Sequence, residues 1–317
     1  MYFAESYFKG EEREGFYVSS MMKRAWAAQM EVLQMIDDIC KRHNITYFAD
    51  WGTLLGAIRH GGFIPWDDDM DIAMKRVDYM RFLDVAVKEL PPEYKLLTSA
   101  NLSEWKGWTQ SLARVVNSMT IPLSGEALTQ HHGFPYVAGI DIFPLDFLPV
   151  DKVEEEIQLN MFLAAYCLGR NWEKADFSEE EKMEKLQEME RLCNIKLAGD
   201  KPHKEQLLVL SDRIAAMYWD TDIEAKELAI FVEFANNKDL RMPVSCYRST
   251  VQVPFENTTI PVPIGYEKIL ETYYGEDWRT PIRGTASHEY PFYKKQQKEL
   301  FEQYERKGME IPEYLIE

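Results

Sequence analysis

The chain has 317 residues, 46% of them hydrophobic, which is enough for one large domain or two smaller ones with a substantial core. Its formal net charge of −17 argues against wrapping on nucleic acid, because neutralising phosphates requires clustered Lys and Arg. The charge does not oppose binding one nucleotide through a metal ion, since the metal reverses the local sign. Four scattered cysteines without a CxxC pair predict buried thiols in a reducing compartment (Cys40, Cys167, Cys193 and Cys246).

The sequence contains no pattern typical of a leader peptide or a membrane span. The N-terminal stretch MYFAESYFKGEEREG lacks a basic region followed by an apolar run, and no segment approaches the roughly 20 apolar residues of a membrane helix. These features predict a cytoplasmic protein. An acceptor attached to a lipid would have to be met at the membrane surface, so a peripheral contact with the inner membrane face is compatible with this prediction.

Helix-like and strand-like patterns alternate in the first half of the chain, which predicts an α/β core. Residues 20–42 have the spacing of an amphipathic helix that ends at Asn44, and 45–49 are typical of a strand. Thr53 is the predicted cap of a short helix that Gly61 and the following glycine terminate.

Further along, 70–74 predict a strand and 76–90 a helix closed by two prolines. Two later segments, 111–118 and 136–143, have strand-like composition, and Pro144 is expected to stop the second. The predicted fold class is therefore α/β.

Changes in composition and in the spacing of apolar residues predict three regions along the sequence. Residues 1–150 form the catalytic core, and 151–240 form a charged helical insertion with a capping box at 178–181. Residues 241–317 form a closing C-terminal segment that packs back on the core. Its first part, 241–290, is rich in Pro, Gly and aromatic residues, which is typical of loops near a site.

Four aspartates occupy five positions at 67–71, directly before the apolar strand. Carboxylates repel one another, so such a cluster beside a core favours bound cations. If the strand begins near Asp69, alternation places Asp69 and Asp71 on one face. The segment GIDIF supplies Asp141 with the same alternation, whereas Asp146 follows a proline and is expected past the strand end. We therefore predict Mg²⁺ or Mn²⁺ on Asp69, Asp71 and Asp141.

Two other interpretations of the acidic run remain open. An EF-hand counted from Asp67 would place Ile72 where a glycine is needed and Asp78 where a bidentate Glu is needed, so the pattern fits it poorly. A solvated acidic turn is the simpler alternative, although the apolar strand follows at once. Upstream, Gly52 and Thr53 stand at a helix N-terminus, where free N–H groups can bind phosphate.

Three segments together resemble a known family: GTLLGAIRHGGFIPWDDDMDIAM, GIDIFPLD and YYGEDWRTP, at 52–74, 139–146 and 273–281. They are similar to the LicD family of phosphocholine transferases, which is related to the fukutin-type transferases. The resemblance implies an α/β fold with a nucleotidyltransferase-like mixed sheet flanked by helices. The resemblance implies metal-dependent transfer of phosphocholine, or a related group, from CDP-choline or a similar CDP-linked donor. The implied acceptor is a sugar hydroxyl of a glycolipid or other glycoconjugate precursor, of the lipopolysaccharide or teichoic acid kind, and CMP leaves.

The resemblance also implies roles for individual residues. Asp69, Asp71 and Asp141 would be the catalytic metal ligands, and Gly52 and Thr53 would contact phosphate. Arg59 matches the Arg at the family's GxxR-like helix end and could hold a pyrophosphate, and Arg114 and Lys106 are further cations of the same kind. Trp66 is the favoured ring for a choline head group through cation–π attraction, within a larger set of aromatic candidates (Trp51, Trp105, Trp108, Tyr273, Tyr274 and Trp278). Asp141 or a histidine could accept the proton of the acceptor hydroxyl (His131, His132 or His288).

Two competing functions remain. A nucleotidyltransferase of the same fold would move the NMP itself onto a small molecule. A non-catalytic metal-binding module would keep the fold without turnover, although the intact set Asp69, Asp71 and Asp141 argues against decay.

Overall fold

The computed structural model describes residues 1–104, 111–121, 130–173, 177–218, 225–283 and 290–316. The helices are α1 (Ser20–His43), α2 (Trp51–Arg59), α3 (Arg76–Glu89), α4 (Lys152–Arg170), α5 (Glu179–Cys193), α6 (His203–Ala215), α7 (Phe231–Asn236), α8 (Tyr266–Tyr274) and α9 (Lys294–Lys307). The strands are β1 (Glu11–Arg13), β2 (Phe16–Val18), β3 (Phe48–Ala49), β4 (Asp71–Lys75), β5 (Lys95–Leu97), β6 (Ala113–Val116), β7 (Gly139–Phe147), β8 (Glu227–Ala229), β9 (Met242–Pro243), β10 (Thr250–Phe255) and β11 (Thr258–Pro263).

Within the described ranges, seven strands form a mixed central sheet with the order β3-β4-β7-β6-β5, and β8 joins β7 to β9. The pair β4 and β7 is parallel, whereas the other pairs of this sheet are antiparallel. Helices pack on the sheet, and the α/β prediction of a mixed sheet flanked by helices is confirmed. The predicted strands 45–49 and 111–118 are shorter in the structure than the sequence pattern indicated.

The prediction that Pro144 ends its strand is wrong. Strand β7 continues to Phe147, and Pro144 pairs with Met74 of β4. On the other side, β6 pairs only with residues 139–142, so no strand there requires the N–H that proline lacks. Asp146 consequently lies within the strand instead of beyond it.

Asp146 has a structural partner in the core. It is 1% exposed, and its two oxygens accept hydrogen bonds of 2.6 and 2.8 Å from Arg76 at the start of α3. Arg76 also donates to Asp212 of α6 at 2.9 Å. This ion pair joins the far ends of the parallel strands β4 and β7 to the helical region.

Helix α1 agrees closely with its prediction. Ser19 caps it by accepting a hydrogen bond from the Met22 N–H at 3.1 Å, and Asn44 ends it in the left-handed conformation. The expected inward side chains are all buried (Trp26, Met30, Leu33, Ile36 and Cys40). The helix thus forms one wall of the main core, which also includes the sheet, α2 and the C-terminal segment.

The helical insertion has a second hydrophobic cluster, built largely on α4, α5, α6 and α7. The capping box at 178–181 is confirmed, with Ser178 and Glu181 bonding each other's backbone N–H. Two members of the expected apolar stripe, Leu186 and Met189, are buried, whereas Met183 and Leu192 are exposed. The thiol prediction holds for only part of the set, since Cys40 and Cys246 are buried but Cys167 is exposed. The domain boundaries at 150 and 240 stay a prediction.

The expectation of loops over 241–290 is wrong for much of its length. Strands β10 and β11 form an antiparallel hairpin over residues 250–263, and α8 follows at once. The hairpin tip reaches the glycine turn after α2, where the Glu256 N–H donates to the Gly61 carbonyl at 2.8 Å. The Glu256 carboxylate accepts a hydrogen bond from the Phe63 N–H at 3.2 Å. The C-terminal segment therefore packs against the turn that follows α2.

Candidate active site

The parallel pairing of β4 and β7 places Asp71 directly beside Asp141. The Asp141 N–H donates to the Met70 carbonyl at 3.2 Å. On the other side of β4, the Asp71 N–H donates to the Thr53 hydroxyl at 2.8 Å, and the Asp50 N–H donates to the Asp71 carbonyl at 3.1 Å. Backbone hydrogen bonds thus fix the position from which both side chains begin.

The preceding loop brings three further carboxylates together. One oxygen each from Asp67, Asp68 and Asp69 lies within 4.8 Å of the others, which is the geometry of a metal-binding group. Strand β4 begins only at Asp71, so strand alternation does not determine the direction of Asp69, contrary to the expectation. The negative charge of Asp69 nevertheless raises the pKa of the Asp71 carboxyl, which indicates that the two side chains lie near each other.

Two side chains of α1 and a backbone N–H of the C-terminal segment hold the acidic loop. The Trp26 indole N–H donates to the Asp67 carbonyl at 3.1 Å, and the Gln29 amide donates to the Asp68 carbonyl at 2.8 Å. The carboxylate of Asp68 accepts a hydrogen bond from the Phe292 N–H at 2.6 Å and is 1% exposed. Asp68 is therefore a structural anchor, which leaves Asp67 and Asp69 as the carboxylates nearer the surface.

The acidic side chains repel one another strongly. Burial, and then the charge of Asp69, raises the pKa of Asp71 well above its ordinary value. Burial and the charges of Asp69 and Asp68 raise the pKa of Asp67 to about 8. Burial raises the pKa of Asp50 to about 7. Removal from water favours the protonated form of all three groups, and nearby negative charges add to this effect at Asp67 and Asp71, so a bound cation would favour their ionised forms.

Arg114 is the basic side chain that meets this cluster most directly. It stands opposite Asp141 in the β6–β7 register, and its guanidinium makes a two-pronged ion pair with that carboxylate, one contact being 2.6 Å. Arg114 was predicted to bind substrate phosphate, and this role stays a prediction. In the structure, its evident effect is to fix the orientation of Asp141.

The third sequence motif also reaches the site. Burial raises the pKa of Tyr274, as do the charges of Asp50, Asp67 and Asp71, so this tyrosine borders the acidic cluster. Arg59 donates hydrogen bonds to the carbonyls of Trp278 at 3.0 Å and Thr280 at 3.4 Å, and it thereby holds the YYGEDWRTP loop beside α2. The motifs that lie far apart in sequence therefore converge.

The remaining predicted site residues differ in their structural roles, and some of them lie outside the described residues. Thr53 does not cap α2, since the helix begins at Trp51 and Asp50 is at the N-cap position. Gly52 has a steric role, because a Cβ atom there would clash with the Asp67 carboxylate. Trp66 is half-buried, with its ring edge-on to Phe16 at 6.4 Å. Four candidates lie outside the described residues (Trp105, Lys106, Trp108 and His288).

The histidines considered as bases contact a residue of α1. The His131 Nδ1 and His132 Nε2 atoms lie 3.1 and 2.8 Å from the Glu31 carboxylate. Trp278 is 4% exposed, so its ring belongs to the core rather than to an open cage. Sequence reasoning missed Asp50, although it stands immediately before the Trp-Gly-Thr segment that it helps to position.

The donor set fits a divalent metal ion. The charges of Asp69, Asp141, Asp67 and Asp50 all raise the pKa of Asp71, so negative charge is concentrated around this carboxylate. Hard oxygen ligands of this kind suit Mg²⁺ or Mn²⁺. An EF-hand is not formed, because β4 and α3 occupy the second half of the twelve-residue stretch.

Part of the chain is similar to a known family of nucleotidyltransferase domains. Residues 44–150 match the family described as LicD/FKTN/FKRP, nucleotidyltransferase domain. The chain is 35% identical over 120 residues to the lipopolysaccharide cholinephosphotransferase LicD of Haemophilus influenzae, which covers 38% of this chain and 42% of that protein. Uncharacterized proteins of Rickettsia typhi and Rickettsia prowazekii are 36% and 31% identical over 67 and 87 residues.

Residues 44–150 are thus similar to LicD/FKTN/FKRP nucleotidyltransferase domains, and these matches support the family resemblance of the motifs that lie within this segment. The chain spans less than half the length of the curated relatives that it matches. No helix in the described part of the chain combines the length and apolar character that crossing a bilayer requires.

Proposed function

We propose that the protein transfers phosphocholine, or a closely related phospho-substituent, from a CDP-linked donor to a sugar hydroxyl of a glycoconjugate. The observation that supports this most strongly is the pairing of Asp71 with Asp141 beside the acidic loop, within a domain of this family. The similar Haemophilus protein is named as a lipopolysaccharide cholinephosphotransferase, which favours phosphocholine as the group transferred. A lipid-linked acceptor would place the reaction at the membrane surface.

In the proposed reaction, the acceptor oxygen forms a bond to the donor phosphorus as the bond from that phosphorus to the bridging oxygen of CMP breaks. Asp69, Asp71 and Asp141 would hold Mg²⁺ or Mn²⁺, which would supply positive charge to neutralise the phosphate oxygens. Arg114 keeps Asp141 oriented, and Thr53 holds the backbone from which Asp71 projects. The absence of a side chain at Gly52 leaves space for the Asp67 carboxylate beside the start of α2.

The start of α2 suits a phosphate group. The free backbone N–H groups of its first turn, which includes Gly52 and Thr53, give this end a partial positive charge. Their proximity to Asp71 and Asp67 would bring a diphosphate and its metal ion together. The acceptor hydroxyl loses its proton during the attack, and Asp141 and the histidines named above stay candidate bases.

The test combines binding with product analysis. Calorimetric titration of CDP-choline should show binding that requires Mg²⁺, and incubation with a glycoconjugate acceptor should release free CMP. Asp71→Asn should abolish turnover while the circular dichroism spectrum stays native, and Asp84→Asn, which alters an exposed carboxylate on α3, should leave turnover unchanged. CMP attached to the acceptor would instead show nucleotidyl transfer. Turnover by Asp71→Asn at the wild-type rate would refute the metal assignment.

A further inference from the structure

A cavity lies beside α1, and its lining contains none of the predicted metal ligands. Its volume is about 580 Å³, which is within the roughly 300 to 1,000 Å³ of typical small-molecule sites. The lining includes Glu31, Gln34 and Met35 of α1, and the pair Glu93 and Tyr94, which follows α3. The space is therefore larger than a single ion needs.

The cavity and the acidic loop lie on different sides of α1. Gln29 holds the loop by donating to the Asp68 carbonyl at 2.8 Å. With 3.6 residues per turn, Glu31 and Gln34 are rotated from Gln29 by about 160° and about 140° around the helix axis. A ligand in the cavity would therefore lie across the helix from the acidic loop.

The cavity has a negatively charged side. His131 Nδ1 and His132 Nε2 lie 3.1 and 2.8 Å from the Glu31 carboxylate. Burial opposes the ionisation of Glu31, but these two contacts outweigh it and lower the pKa of Glu31 to about 2, so this group is ionised at neutral pH. The exposed Glu93 carboxylate forms no ion pair within the described ranges. Met1 and His131 also line the cavity, but no lysine or arginine does.

Tyr94 is a secluded polar residue on the same wall. It is 9% exposed, and burial, followed by the charges of Glu31 and Glu93, raises the pKa of its hydroxyl to about 12. The hydroxyl therefore lies near both carboxylates and stays protonated at neutral pH. It forms no hydrogen bond to any group in the part of the chain that the structure describes. Secluded polar groups normally have a partner, so a ligand that bonds this oxygen would explain the arrangement.

The chemistry of the cavity selects one class of ligand. A divalent metal ion needs several ligand atoms around one point, and the carboxylates and imidazoles of this cavity form no such group among the described residues. A quaternary ammonium donates no hydrogen bond, so the Tyr94 oxygen would stay without a donor. A primary ammonium has the charge opposite to that of Glu31 and Glu93, and its three N–H groups can bond the hydroxyl and the carboxylates.

We propose that this cavity is a second binding site, which takes a small organic molecule with a primary ammonium group. Glu31 and Glu93 supply the opposite charge, Tyr94 and Gln34 supply neutral hydrogen-bond acceptors, and the Met35 side chain contacts the carbon part of the ligand. The site does not depend on the proposed function, because it needs neither the predicted metal ligands nor a nucleotide.

The test is a titration with n-butylammonium, followed by NMR of protein with isotope-labelled methionine methyl groups. Met35 lines the cavity and is assigned with Met35→Leu, whereas the exposed Met183 of α5 is the reference. n-Butylammonium should shift the Met35 signal saturably and leave Met183 unmoved. It should bind at least about tenfold more tightly than 1-butanol, which lacks the charge, and about threefold more tightly than butyltrimethylammonium, which donates no hydrogen bond.

Two substitutions test the recognition of the ammonium group without removing packed atoms of the core. Tyr94→Phe keeps the ring, removes only the hydroxyl and should weaken n-butylammonium binding about fivefold. Glu93→Gln, on the surface, should weaken it about threefold, because an exposed ion pair contributes little. Asp84→Asn, which removes an exposed carboxylate on α3, is the matched control and should keep the wild-type affinity.

Each outcome decides for or against the site. A selective, saturable shift of Met35, together with weaker binding by both variants, would support it. An unmoved Met35 signal, equal shifts of Met35 and Met183, equal affinity for 1-butanol, or wild-type affinity in either variant would overturn it. Turnover of CDP-choline is measured separately, so failure of the proposed function leaves this inference standing, and failure of this inference leaves the proposed function standing.

Discussion

The buried carboxylates predict an unusual dependence of stability on pH in the metal-free protein. Asp67 has a pKa of about 8 in the folded chain, against an ordinary value of 3.8. Because the folded pKa is raised, the folded state binds one more proton than the unfolded state between these values. The contribution to stability is therefore full at acidic pH and is lost as the pH rises through about 8.

The magnitude follows from the two pKa values. The free energy of unfolding falls by about 1.4 kcal/mol per pH unit while the folded group stays protonated and the unfolded group is ionised. Between pH 6 and pH 8, the titration of Asp67 lowers the free energy of unfolding by about 2 kcal/mol. This is less than the full slope gives, because the folded Asp67 carboxyl begins to ionise as the pH approaches its pKa. For a chain of this size, that loss lowers Tm by about 4 °C.

The assay is thermal unfolding in EDTA and in Mg²⁺ across this pH range, with Asp67→Asn as the comparison. The Tm of metal-free wild-type protein should fall more steeply with pH than that of the variant, since Asp67→Asn removes both the titration of Asp67 and the charge by which Asp67 raises the pKa of Asp71. Mg²⁺ should raise the wild-type Tm more at pH 8 than at pH 6, because the metal binds the ionised carboxylates. Equal pH slopes for the two metal-free proteins would refute the argument that Asp67 is held protonated by its neighbours.

Three further substitutions test other parts of the structure. Gly52→Ala should weaken Mg²⁺ binding about tenfold in calorimetry without unfolding the protein, because the new Cβ displaces the Asp67 carboxylate; unchanged affinity would contradict the close packing. Arg76→Met should lower the free energy of unfolding by about 3 to 5 kcal/mol in urea, since it leaves Asp146 buried and unpaired; a loss below about 1 kcal/mol would show that the ion pair is dispensable. Arg114→Lys should reduce kcat at least about tenfold with little change in Tm, because lysine cannot make the two-pronged contact; wild-type kcat would exclude an orienting role.

Much of the fold could be predicted from local patterns. Helix α1 was indicated by its apolar spacing and by Asn44, whose left-handed conformation ends the helix. Helix α3 and the capping box of α5 were indicated by equally local signals. Each of these elements depends on contacts between residues a few positions apart, which a sequence shows directly.

Long-range pairing was less predictable. The sequence predicts a strand end at Pro144 because proline lacks an N–H, but whether that N–H is needed depends on how far the neighbouring strand β6 extends. Asp146 was placed outside the strand for the same reason, and its partner Arg76 is 70 residues away. The hairpin of β10 and β11 was missed, although its alternating residues were present in the sequence.

The sequence by itself determined the chemistry of this protein: a dense run of aspartates, a third aspartate on a later strand and a tyrosine-rich motif near the C-terminus. Only the tertiary structure decided how these carboxylates differ. The Asp68 carboxylate is held by a backbone N–H, Asp141 by Arg114, and Asp50 is buried among rings. The physical reason is that a carboxylate's behaviour depends on its partners and its access to water, and both are set by segments far away along the chain.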